Sequence, residues 1–208
     1  MKNAVWFSLL ICLLSAPAWA GYSLLGDGST LNFVSIKKGS VAEVHRFERL
    51  RGRVGDDGAI EIVIDLASVA TNIPIRDERM RTLLFETGKF ANATLHGRID
   101  TAGLSRLTAG DRLDRTLKLT LDLHGRQAGI EARISIIALK CGLLVTSRAP
   151  VIVNAADFGL VEGIEKLREV AKLPSIATAV PVSFELLFSR DPAARAPALP
   201  GWRWSPRR

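Results

Sequence analysis

At 208 residues the chain is long enough for one domain with a respectable core and needs no second. Its 28 basic against 21 acidic residues give a formal charge of +7, but Arg195, Arg203, Arg207 and Arg208 all follow Arg190, beside the single acid Asp191. Without that segment and the first twenty residues, 23 basic residues face 20 acidic ones, about +3, which gives no ground for a nucleic-acid partner.

Residues 1–20 read as an export signal. Lys2 precedes an apolar run from Val5 to Leu14, and Ala18-Trp19-Ala20 offers small residues at both positions a signal peptidase requires. The run is shorter than the about 20 apolar residues a membrane-spanning helix needs. Cys12 follows Ile11 inside the run, the wrong place for lipid attachment. The expected mature chain begins at Gly21, is exported, and keeps one cysteine, Cys141. That residue cannot close an intramolecular disulfide and is expected to pack on a strand as a small hydrophobe.

From Thr30 to Phe188 the dominant pattern is alternation. Ile60, Ile62, Ile64 and Leu66 share one face of "AIEIVIDLAS", and Leu117, Leu119, Leu121 and Leu123 share one face of "TLKLTLDLHG", the period-2 pattern of half-buried strands. Further strands are expected at Thr30–Lys37, Val41–Arg53, Thr94–Thr101, Gly129–Leu139, Leu143–Val153 and Val180–Phe188. Glycine-bearing links, "GDDG" at 55–58 and "HGRQAG" at 124–129, join neighbours as hairpins. Eight antiparallel strands bury their edges best by closing into an up-and-down barrel, just wide enough to hold one small ligand or to be filled by side chains.

Two helical segments interrupt the strands. Around Asp77 and Glu78 the charges suit a helix N-terminus, and Met80, Leu83 and Leu84 recur at helical spacing between Pro74 and Gly88. The second runs Val161–Lys172, with Leu160, Ile164, Leu167 and Ala171 on one face, Glu162 and Lys166 at i, i+4, and Pro174 ending it. Each lays an apolar face on something, and a barrel offers an open end. Residues 191–208 hold four of the 9 prolines and no apolar periodicity, so a disordered tail is expected. Its length favours a simple solvated segment, while Trp202 and Trp204 alternating with arginine suit an anionic membrane surface.

The fold class is thus all-β, an eight-stranded antiparallel barrel with two short capping helices, spanning 21–190 between the signal and the tail. In this order the segments "VHRFERLRGRV" (44–54), "IVIDLASVATNIPIRDERMRTLLFE" (62–86), "GKFANATLHG" (88–97), "LTLDLHGRQ" (119–127) and "ADFGL" (156–160) resemble the YceI family. The most specific piece is Asp65, Ser68, Thr71, Arg76 and Asp77, followed by Phe85 and Phe90. The chain departs from the family at Asn154-Ala155-Ala156, where a basic residue is usual before Asp-Phe-Gly, and at Ala91, where proline is common.

The resemblance implies an exported, lipocalin-like barrel in the bacterial periplasm that encloses a long polyisoprenoid, isoprenoid quinone or other lipid such as a fatty-acyl chain. It implies that the helix from Arg76 to Phe85 caps one end, with Arg76 and Asp77 pinning it, and that Phe33, Phe47, Met80, Leu84, Phe85, Phe90, Leu119, Leu121, Phe158 and Phe184 line the lumen. If the bound lipid carries a polar head, Arg76 is the expected partner for it. The rival reading is a barrel filled by its own side chains that serves as a stress-response or protein-interaction module. The oligomeric state stays open, a homodimer included.

No nucleophile elbow, zinc motif, paired-cysteine motif or phosphate loop occurs, and Asp157-Phe158-Gly159 lacks every companion of the kinase triplet. An enzyme is not expected, nor a cofactor, nor a metal: His45, His96 and His124 stand far apart and read as turn or hydrogen-bonding residues. Asn92-Ala93-Thr94 matches a glycosylation sequon, a chance occurrence in a bacterial periplasm.

Overall fold

In the computed structural model, which describes residues 21–190, every expected strand forms. The expected signal and tail lie outside the described residues. In chain order the strands are β1 (Gly21–Leu24), β2 (Thr30–Lys37), β3 (Val41–Phe47), β4 (Leu50–Gly55), β5 (Ala59–Asp65), β6 (Val69–Ala70), β7 (Asn92–Arg98), β8 (Arg112–Leu123), β9 (Arg126–Leu139), β10 (Gly142–Ser147), β11 (Val151–Asn154) and β12 (Ala179–Arg190). These twelve fall on eight barrel positions, because β1 and β2, β3 and β4, β5 and β6, and β10 and β11 are each one interrupted strand. All pairings are antiparallel, and β12 closes the ring against β1 and β2, with Tyr22 opposite Arg190 and Phe33 opposite Val182. Closure leaves no long edge to pair with another chain.

The interruptions have local causes. Between β3 and β4 the amides of Glu48 and Arg49 turn to the Ser68 hydroxyl (3.2 and 3.0 Å), which in turn donates to the Asp65 carbonyl at 2.6 Å. Pro150, which has no N–H to give a ladder, separates β10 from β11. The first closing strand, β1, has no signature in the sequence because four residues are too few to display a period. The β8–β9 link narrows to two residues, His124 and Gly125, both at positive φ (54° and 72°), the conformation of a type I′ hairpin.

Three short helices sit at the barrel ends. The first, α1 (Pro74–Arg79), begins on proline and runs into a wide π turn, Met80–Leu84, closed by the Phe85 amide on the Met80 carbonyl at 2.9 Å. The second, α2 (Thr101–Ser105), adds to the two expected helices; Asp100 caps it by accepting from the Ala102 amide at 3.0 Å, and its buried Leu104 faces the far half of the core. The third, α3 (Val161–Val170), carries the expected Glu162–Lys166 pair at 2.7 Å. It packs Gly163 so tightly on the π turn that a Cβ there would stand 2.8 Å from the Leu83 carbonyl and 2.9 Å from the Leu84 Cα. Cys141 is not packed on a strand: it lies exposed in the turn between β9 and β10, where Gly142 rather than the cysteine resumes the ladder.

Candidate ligand-binding lumen

Strand parity builds the lumen. Leu31 and Phe33 on β2, Ile64 on β5, Ala93 and Leu95 on β7, and Leu119, Leu121 and Leu123 on β8 point inward, as do Ile130 and Ala132 on β9 and Val182 and Phe184 on β12. With Met80, Leu84 and Phe85 from the cap and Leu160 and Ile164 from the α3 end, they enclose a cavity of about 180 Å³ whose wall is wholly apolar. A smaller apolar space of about 70 Å³ continues toward α2 and Leu104, sharing Leu95, Leu119 and Phe184 with the first as a common waist. Small side chains, Ala93 and Ala132, leave this room where a leucine would fill it.

At the cap end the lumen meets a mouth of about 340 Å³ between α1 and α3. Phe33, Met80, Leu84, Ile164 and Val180 belong to both spaces. The outer rim carries exposed apolar side chains, Ile73 (45% exposed) and Ile75 (59%), beside Leu167 and Ile176. An aromatic row leads inward, His45 to Phe33 (ring centroids 5.3 Å apart), Phe33 to Phe47 (5.3 Å) and Phe47 to Phe85 (5.7 Å).

One wall of the mouth is polar. The inward parity of β2 runs Phe33, Ser35, Lys37 and that of β3 runs Phe47, His45, Glu43, so both strands change from apolar to polar as they reach the mouth. Glu43 takes Lys37 Nζ at 2.7 Å on one oxygen and an Arg76 guanidinium nitrogen at 2.6 Å on the other. The hydrogen bond from Lys37, with help from Arg76, holds its carboxyl below the usual range. His45 is 4% exposed; its Nε2 meets the Ser35 hydroxyl at 2.9 Å, and burial first, then the neighbouring Arg76 charge, push its value down. Sequence reasoning missed the mouth cluster, although the alternation in "FVSIK" and "EVHRF" carries it.

Arg76 and Asp77 pin the cap without touching each other. Asp77 accepts from both the amide and the hydroxyl of buried Thr71, and Arg76 donates to the Thr71 carbonyl at 2.7 Å as well as to Glu43. With Ser68 holding the β3–β4 bend and Asp65 accepting from the Ala67 amide and Arg49, the most specific motif of the sequence is a latch that ties α1 to the barrel.

Of the expected lining, Phe33, Phe47, Met80, Leu84, Phe85, Leu119, Leu121 and Phe184 all bound the cavity, and Arg76 stands at the mouth. Two expectations need correction. Phe90 precedes β7 and so escapes its alternation; its ring lies on His124 (4.3 Å) over the bare Cα of Gly125, at the barrel end. Phe158 sits in a 3-10 turn after β11, where strand parity no longer applies, and is sealed in the core while Ala155 and Leu160 form the wall. Among the described residues no three His, Cys, Asp or Glu side chains gather as a metal site.

The YceI-like domain family matches residues 22–188. Among solved structures, the chain is similar to a polyisoprenoid binding domain from Saccharophagus degradans implicated in plant cell wall breakdown, with 40% identity and a TM-score of 0.81 over 83% of this chain and 99% of that one. BcnA of Burkholderia cenocepacia shares the fold at 16% identity, with a TM-score of 0.61 over 79% and 98% of the two chains. Among curated proteins none matches. With a family match spanning nearly all the described residues and this barrel beneath it, the chain belongs to the YceI-like domain family.

Proposed function

We propose that the protein is an exported, non-catalytic binding protein of the periplasm that carries a long apolar molecule in its lumen, of polyisoprenoid, isoprenoid-quinone or fatty-acyl type. The observation that carries the reading is the wholly apolar wall of the 180 Å³ cavity, which adjoins, across shared side chains, a mouth at one end and a second apolar space at the other. The similarity to a polyisoprenoid binding domain supports the ligand class.

The driving force needs no catalytic group: burying ten methylene units at about 0.8 kcal/mol each gains about 8 kcal/mol, from which the cost of ordering the chain on binding is subtracted. Arg76, at the mouth, is a cap residue able to meet a head group that stays behind at the rim.

The test is occlusion. Ala132 is 1% exposed and faces the lumen from β9. Ala132→Phe should fill the space, keep the barrel's circular dichroism, and abolish retention of an added isoprenoid quinone or long-chain fatty acid that the wild-type chain retains. Retention equal to wild type in a folded Ala132→Phe chain rejects the lumen as the site.

A further inference from the structure

We propose that the mouth is built to hold an anionic head group, a carboxylate or phosphate at the end of the apolar chain, bridging the cap helix and the barrel. The inference rests on the lumen reading and adds the chemistry of the ligand's polar end.

Three cations line the mouth, Lys37, Arg76 and Arg79, against one carboxylate, Glu43. Glu43 is shared between Lys37 and Arg76, one oxygen each. Asp77, the other acid nearby, is taken up by Thr71. Among the described residues Arg79 has no carboxylate partner. Positive charge in excess of its partners stands here beside Ile73, Leu167 and Ile176, and an incoming anion compensates it.

The charge is divided between two parts of the fold: Arg76 and Arg79 ride on α1 while Lys37 belongs to β2, so the bound anion fastens the cap over the chain it terminates.

Binding of palmitate, hexadecyl phosphate and hexadecanol to the full chain, followed by fluorescent-probe displacement, separates head from tail. The two anions should bind about tenfold more tightly than the alcohol of equal chain length. Arg79→Gln, which leaves the Glu43 and Thr71 contacts of Arg76 in place, should reduce that preference while leaving hexadecanol binding unchanged. Both anions should also raise the melting temperature more than hexadecanol does at equal occupancy. Equal affinity for all three ligands overturns the anionic mouth yet leaves the apolar lumen standing. Failure of all three to bind overturns the lumen reading together with it. Saturation of the mouth by inorganic phosphate alone, detected as displacement of hexadecyl phosphate at similar concentration, identifies a free-anion site and overturns the lipid-head assignment.

Discussion

His45 shows how one residue combines packing and charge. Its ring continues the aromatic row of the lumen, and burial there first, then the neighbouring Arg76 charge, favours the neutral form in the fold, so the folded-state value lies below the ordinary 6.5. The unfolded chain then takes up the proton first. Stability is fully present above about pH 6.5 and falls as pH drops below it, until the folded-state value is passed. Melting temperature should therefore decline between about pH 7.5 and 5.5, and His45→Asn should flatten that slope; parallel slopes in the two proteins would exclude the residue as its source. Glu43, held low by Lys37 and Arg76, adds a separate loss only at acid pH, below its ordinary 4.5. At Asp77 the effect is one of hydrogen bonding. Asp77→Ala strips two donors on buried Thr71 of their acceptor and should cost about 1–3 kcal/mol in urea unfolding. The inward residues of regular strands were legible because period 2 fixes their side; Phe90 and Phe158 were not, because both stand just outside a strand.

At the level of elements, the sequence pattern located both capping helices, and the structure adds how they fit together. The π turn at Met80–Leu84 widens the end of α1 where α3 approaches, and Gly163 is the contact that lets α3 come close. Gly163→Ala must push α3 from the Leu83 carbonyl or bend the turn. A loss of about 1–3 kcal/mol is expected from such overpacking, together with faster release of a bound lipid. An unchanged unfolding midpoint would mean the two helices part without consequence. No residue type announces a π turn, and the five residues of α2 are too few to show a period, so neither was legible. The split at Pro150 was hidden for a different reason, since the inward parity is the same on both sides, Leu143 and Val145 before it and Val151 and Val153 after it; at the Ser68 contact the inward parity shifts by one, from Phe47 to Leu50.

Across the whole molecule, hairpin-linked amphipathic strands leave one economical solution, a closed barrel with apolar residues inside, and that was readable from Ile60 to Leu66 and Leu117 to Leu123 alone. What alternation does not specify is how completely the inward side chains meet. The room in the lumen depends on Ala93 and Ala132 standing opposite larger neighbours, Ile64 and Leu117, a matter of register between paired strands that alternation alone does not set. The barrel as carrier rests on that room being occupied by a ligand. The most direct measurement is native mass spectrometry of the chain purified without detergent from its own cells, with extraction and identification of what accompanies it. A discrete additional mass of isoprenoid, quinone or fatty-acyl type, lost in Ala132→Phe, is the expected result. A bare protein mass that stays bare after incubation with each of those lipids would contradict the account.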